Sequence, residues 1–248
     1  MTARRGWVLV TGASRGIGGA TAMALAGRGF DLVLWARSAD ALADTAEQAR
    51  ALGARVKTAT VDVGDAGQVA SAAESIDGAE GLAGLVLNAG RGVWSPLADV
   101  DPEDWSATIR TNLDGTYHVL RETLPHLIAH GHGLLVGMLS DSVLHPFAER
   151  AAYSASKSGM SALLEVVRRE VRASGVRVSA VLPSRVDTYF QGSQAEAGPG
   201  TREGALTAAE VAEVVAGLFE LPPNVEIRQV QLAAMTSTYG LFPERVVL

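Results

Sequence analysis

The sequence predicts an α/β protein built on a single doubly wound parallel sheet with helices on both faces. Three observations lead there. Short apolar runs alternate with helical patterns along nearly all of the 248 residues, as in right-handed strand–helix–strand units. Several of those runs are apolar at every position, which marks strands buried on both faces. A glycine cluster falls at the first strand-to-helix turn, where such sheets receive ligands.

The elements follow in order. Residues 7–11 (WVLVT) form the first strand, and 17–28 a helix of small and apolar residues stopped by Gly29. Residues 31–36 give the second strand, 39–52 an alanine-rich helix ended by Gly53, 56–61 the third strand and 67–76 the third helix. The fourth strand is placed at 85–88. Pro102, suited to a first helical position, opens a helix near Glu103. Another helix is expected at 113–129, strand five at 134–139 and a long helix at 152–173 bearing Leu163, Leu164, Val167 and Val171. Strand six at 176–182, a helix at 208–218 and a strand at 225–232 complete the pattern. One domain over 1–248 is expected, with neither repeat nor linker. The segment 184–206, rich in Gly, Gln, Ala and Glu, stays open between a lid and a plain surface loop.

Composition narrows the function classes. With 48% hydrophobic and 19% charged residues, the chain can bury a sizeable core. It has no cysteine, hence no disulfide, thiolate metal site or cysteine nucleophile. No run of 18 uncharged apolar residues predicts a membrane span. The apolar run after Arg5 is too short for a secretory signal core, so a cytoplasmic location is expected. A net charge of −6 speaks against nucleic-acid partners. Of 21 Lys plus Arg, only Lys57 and Lys157 are lysine. A lysine here is rare enough to suggest that its chemistry was required, although Lys57 has no evident role.

The motifs are Thr11-Gly12-Ala13-Ser14-Arg15-Gly16-Ile17-Gly18, Asn88-Ala89-Gly90 at the end of strand four, and Tyr153-Ser-Ala-Ser-Lys157. Glycines in the first let a pyrophosphate approach a helix N-terminus. Tyr153 and Lys157, four apart, share one helix face. Together, in this order and over nearly the whole chain, the motifs resemble the short-chain dehydrogenases/reductases. The resemblance implies a Rossmann-type fold and a nicotinamide cofactor. It implies that Gly12, Ser14, Arg15, Gly16, Ile17 and Gly18 hold the pyrophosphate, with Asn88, Ala89 and Gly90 beside it. Asp62 and Val63 match the family's adenine-side pair; a helix cap is the other reading of Asp62. Pro183-Ser-Arg-Val-Asp-Thr188 resembles the family's Pro-Gly-x-x-x-Thr segment, which implies that Thr188 contacts the nicotinamide carboxamide and that Pro183 and Val186 also bind the cofactor. Ser184 stands where the family has glycine, and the last strand lacks the family's Asp-Gly-Gly ending.

The second strand ends in Ala36-Arg37-Ser38, without the acid that grips a ribose 2′-hydroxyl. Arg15 and Arg37, helped by Ser14 and Ser38, suit a 2′-phosphate, so NADP(H) is expected; the bland reading is two solvated arginines. A cation about 5 Å from Tyr153 at an effective dielectric near 20 favours its phenolate by roughly 3 kcal/mol before desolvation. Tyr153 is therefore the expected general acid/base, with Lys157 poising it. By resemblance Lys157 also binds the nicotinamide ribose, Ser140 holds the substrate oxygen and Asn112 anchors a water relay. Ser142 is the alternative to Ser140, and a helix kink the alternative for Asn112.

Trp94, Leu144, Phe147, Tyr189 and Phe190 follow the strand ends, and four of the 13 aromatic residues lie in these three loops. They suggest an apolar, aromatic or polycyclic ketone such as a secondary-metabolite intermediate, with loop packing as the rival reading. The expected function is an NADPH-dependent carbonyl reductase. Oxidation of an alcohol, or a catalytically idle NADPH-binding role, are the alternatives. By resemblance the helices at 113–129 and 152–173 would support a homodimer or homotetramer. His126, His130 and His132 sit where a helix ends, in a segment that holds no acid, so no metal site is assigned. Asp141 and His145 lack a nucleophile elbow, so no hydrolase is assigned.

Overall fold

The computed structural model describes residues 5–76, 82–190 and 199–237. Strand β1 (Trp7–Thr11) leads through α1 (Gly16–Gly27) to β2 (Asp31–Ala36), and α2 (Ala39–Ala51) leads to β3 (Val56–Thr60). After α3 (Ala66–Ala73) the chain returns to β4 (Leu82–Leu87), on the other side of β1. Helices α4 (Pro102–Ile109) and α5 (Gly115–His130) precede β5 (Leu134–Met138), and α6 (Ala151–Val171) precedes β6 (Arg177–Pro183). The short β7 (Val186–Asp187) and β8 (Leu206–Thr207) pair with each other before α7 (Ala208–Leu218) and β9 (Gln229–Leu232). The seven-stranded sheet runs β3-β2-β1-β4-β5-β6-β9, every pair parallel. Strand order reverses between β1 and β4, which opens a crevice at their carboxyl ends.

Alternation along each strand divides the core between the two faces. Trp7 and Leu9 of β1 pack with Leu127 of α5 and with Leu164 and Val167 of α6. Val8 and Val10 pack with Leu25 of α1 and with Val211 and Val215 of α7. Both faces are buried, so the fully apolar strands follow from the architecture. Lys57 and Arg55 each place their charge on the ring of Trp7, at 5.4 and 5.0 Å. This gives Lys57 a packing role that its sequence position did not reveal.

Three expected boundaries are corrected. Strand β4 begins at Leu82 rather than 85, because Ala83 and Gly84, poor strand formers, disguise its start. Regular pairing in the last strand begins at Gln229 rather than 225. Before that point side chains replace the ladder: Val178 N donates to Glu226 Oε1 at 3.1 Å, and Ser179 Oγ to Ile227 O at 2.6 Å. Between α4 and α5, Arg110–Asp114 forms a π-type turn carrying Asn112, where an α-helix starting at 113 was expected. One extra residue in a helical turn hardly changes the apolar pattern, so the turn is invisible to it.

The segment 184–206 is tied at both ends. Ser184 N donates to Leu232 O, Leu206 N to Arg185 O and Arg202 Nη1 to Val186 O. Its residues 191–198 lie outside the described residues. Among the described residues, no helix is long and apolar enough to cross a membrane.

Candidate active site

A cleft of about 1010 Å³ opens along the carboxyl ends of the central strands. One wall is the loop between β1 and α1. Thr11 Oγ1 accepts from Asn88 N and Ala89 N at 3.0 and 3.1 Å, while Asn88 Nδ2 donates to Thr11 O and Gly12 O at 3.1 and 3.2 Å. The loop is thereby stapled to the end of β4. Gly12 and Gly16 adopt left-handed backbone, φ 64° and 57°, which glycine takes at no steric cost. Gly18 is needed for a different reason. A Cβ there would meet Gly12 O at 2.2 Å and Asn88 Nδ2 at 2.5 Å. Arg15 precedes α1 without a side-chain cap, so the first N–H groups of the helix offer an anion site. Gly12, Ser14, Arg15, Gly16 and Ile17 line the cleft, whereas Gly18 is buried behind it.

The expected adenine-side residues are also brought together. Arg37 and Ser38 are exposed after β2, Asp62 and Val63 follow β3, and all four line the cleft. Asp62 is not the cap of α3. Its Oδ1 accepts from Gly64 N at 3.0 Å, while Asp65 caps the helix by accepting from Gly67 N and Gln68 N. Pro183, Val186 and Thr188 line the opposite side. Thr188 is buried and lies 3.6 Å from where a Gly16 Cβ would stand.

At the other end lie Ser140, Tyr153 and Lys157, all buried. Ser140 and Tyr153 line the cleft together, and the Ser140 hydroxyl acts to lower the Tyr153 pKa. Ser140 Oγ also accepts from Ser142 N at 3.1 Å and donates toward Asp141 Oδ1 at 3.1 Å. Ser142 thus supports Ser140 and is not itself among the cleft-lining residues. Lys157 Nζ donates to Met138 O at 2.7 Å and sits 5.9 Å from the Tyr153 ring centre. Burial pushes Tyr153 up to about 12, against the lowering influence of Ser140 and Arg150. Burial alone brings Lys157 down to about 8. The expected net stabilisation of the phenolate is not found in the chain alone: withdrawal from water is the largest influence on Tyr153, ahead of Ser140 and Arg150.

Asn112 does not reach the cleft wall. Its amide closes a pair of bonds with the Arg91 backbone, Arg91 N to Oδ1 and Nδ2 to Arg91 O, both 2.8 Å, and Nδ2 also donates to Ser156 Oγ. Gly90, in front of it, has no Cβ; one there would lie 3.3 Å from Asn112 Oδ1 and 3.6 Å from Lys157 Nζ.

Trp94 meets Tyr153 edge-to-face at 5.2 Å and stacks with Phe190 at 6.2 Å, while Phe190 meets Tyr153 at 5.8 Å. Phe147 and Tyr189 also line the cleft. Leu144 does not: the turn after Ser140 directs it outward, and it is exposed.

The sequence profile described as short chain dehydrogenase matches residues 6–198. The chain belongs to the short-chain dehydrogenase family. It is an oxidoreductase by that membership. This short-chain dehydrogenase is 32% identical over 244 residues to sulfoacetaldehyde reductase 2 of Chromohalobacter salexigens, covering 95% of this chain and 96% of that one. It matches the structure of an alcohol dehydrogenase from the archaeon Thermococcus sibiricus, complexed with 5-hydroxy-NADP. There the TM-score is 0.87 and the identity 30%, over 98% and 99% of the two chains. Carveol dehydrogenase from Mycobacterium avium, in complex with NAD, gives a TM-score of 0.84 at 25% identity, covering 93% and 97%.

Sequence reasoning passed over three neighbours of the reactive end in this short-chain dehydrogenase, one of which, Asp141, it weighed only for a hydrolase. Asp141 takes the Ser140 proton contact, and Glu149 and Arg150 line the cleft before α6. Arg150 lies only three positions before Tyr153, but in a chain where basic residues are nearly all arginine it carried no signal.

Proposed function

We propose that this short-chain dehydrogenase is an NADPH-dependent carbonyl reductase acting on a ketone with an apolar or aromatic body. The observation that carries the reading is the meeting of Ser140, Tyr153 and Lys157 at one end of a cleft whose other end is a glycine loop. The glycine cradle, the uncapped start of α1 and the volume of the cleft fit a dinucleotide. Arg15 and Arg37 would hold the 2′-phosphate, and Ala36 leaves no acid to repel it. The Thermococcus sibiricus relative, complexed with an NADP derivative, supports this preference; the NAD-bound relative shows that the family takes both.

When bound, NADPH supplies a hydride to the carbonyl carbon. Tyr153 holds the proton that the carbonyl oxygen receives, and Ser140 orients that oxygen. A hydroxyl held near 12 carries its proton at neutral pH and so can give it to the carbonyl oxygen. Lys157, at about 8, still carries its proton there and places positive charge beside the phenolate that Tyr153 becomes. Asn112 fixes the Gly90–Arg91 backbone against this group. Trp94, Phe147, Tyr189 and Phe190 form the substrate wall.

The test is the ratio of kcat/KM values with NADPH and NADH against a panel of ketones. A charge-assisted hydrogen bond is worth about 1.5–3 kcal/mol, or one to two decades per arginine. Preference for NADPH by at least tenfold is expected. Preference for NADH overturns the cofactor assignment.

A further inference from the structure

Asp141 opens the short turn Asp141–Val143 that follows β5, and it lines the reactive end of the cleft although only 7% of it is exposed. The turn fixes its backbone: Asp141 O accepts from Leu144 N and His145 N, both at 2.9 Å. Its charge reaches Tyr153, where it opposes loss of the proton. Among the described residues the carboxylate accepts one hydrogen bond, from Ser140 Oγ at 3.1 Å. A carboxylate offers about four lone-pair sites, and a buried one is costly unless donors fill them. Asp141 is therefore short of donors on the side that faces the cleft.

The donor it does have is needed elsewhere. A serine has a single hydroxyl proton. That of Ser140 faces Asp141 Oδ1, with Ser142 Oγ competing at 3.2 Å. Ser140 cannot turn this proton to a carbonyl oxygen without stripping the carboxylate of its hydrogen bond. Such a loss costs more at a charged group than at a neutral one, so a substrate that took the proton and returned none would be held weakly. A substrate with an O–H beside its carbonyl restores the balance: Ser140 donates to the carbonyl oxygen, and the substrate hydroxyl donates to Asp141. The 3.1 Å between Ser140 Oγ and Asp141 Oδ1 suits groups on neighbouring carbons. Lys157 and Arg150 place positive charge at the same end, which disfavours an ammonium and leaves a neutral hydroxyl as the donor.

We propose that Asp141 is a specificity-determining residue that receives a hydroxyl on the carbon next to the carbonyl, making the preferred substrate an α-hydroxy ketone. The proposal rests on the reductase reading for the role of Ser140, but its test does not depend on turnover. The full chain, saturated with NADP+, is titrated calorimetrically with 2-hydroxy-1-phenylethanone, 2-methoxy-1-phenylethanone and 1-phenylethanone; a ketone beside the oxidised cofactor receives no hydride. The hydroxy ketone is expected to bind about tenfold or more tightly than either of the others, since it alone can donate to the carboxylate. Asp141→Ala is expected to bring both ratios near one. Asp141→Asn, used should that variant fold poorly, keeps an acceptor without the charge and is expected to cut both ratios about threefold or more. Ratios near one in the wild type, no binding of the hydroxy ketone, or undiminished ratios in a folded variant overturn the proposal. If the hydroxy ketone binds through Asp141 but NADPH reduces no ketone, the reductase reading fails and the hydroxyl site stands. If all three ketones are reduced with equal efficiency, the reductase reading stands and the hydroxyl site fails.

Discussion

Around the glycine loop the cleft wall is backbone: left-handed Gly12 and Gly16, the close approach of Gly18 to Gly12 O, and carbonyls gripped by Asn88. Around Tyr153 the wall is side chain. Trp94, Phe147, Arg150 and Phe190 come from three separate segments and meet ring against ring. The first wall admits one solution, because a single added methyl collides with main chain. The second can be repacked, because rings and guanidinium keep similar contacts under several exchanges. A cofactor common to many reactions suits the rigid wall, and a particular substrate suits the adaptable one.

The contrast can be broken in graded ways. Gly18→Ala should have the largest effect on stability. Its Cβ has main chain at 2.2 Å and nothing flexible to displace, so a loss above about 3 kcal/mol is expected. Thermal melting should then fall by about 6 °C or more. An unchanged melting temperature would show that the loop is as adaptable as the aromatic wall.

Lys157→Met examines the buried charge through pH. The folded pKa of Lys157, about 8, lies below the unfolded value near 10.5. In that window the unfolded chain holds more protons, so wild-type stability rises with pH from about 8 to 10.5. Below pH 8 the full penalty of burying the charge is present, of order 3 kcal/mol. The stability gained by Lys157→Met relative to wild type should therefore shrink as pH rises from 7 to 10. Denaturant titrations across that range check it, and a constant difference contradicts the assignment.

Arg37→Met should lower the NADPH:NADH preference by about tenfold with the melting temperature unchanged, because Arg37 is exposed. Trp94→Leu should affect only the adaptable wall. Loss of its ring contacts is worth about 0.5–1.5 kcal/mol, a two- to tenfold rise in KM for an aromatic ketone with no change in cofactor affinity.

What the sequence revealed divides along the same line. The glycine loop and the Tyr153–Lys157 spacing were legible because backbone conformation and helical periodicity are written in consecutive residues. The alternation of strands and helices was legible for the same reason. Leu144 was misassigned because the direction of a side chain after a tight turn depends on tertiary contacts. Arg150 escaped because its meaning lies in packing against two rings, one of which, Trp94, comes from another segment. The direction of the Tyr153 shift escaped too: spacing names the neighbouring cation, but only packing measures the water excluded.

The central claim is that Tyr153 delivers the proton. Its most direct test is single-turnover reduction of a ketone by NADPH with wild type and Tyr153→Phe, alongside NADPH binding. Loss of a positioned general acid predicts a fall of about 10²–10⁴ in the rate with binding of NADPH unchanged. Near wild-type turnover by Tyr153→Phe would contradict the account.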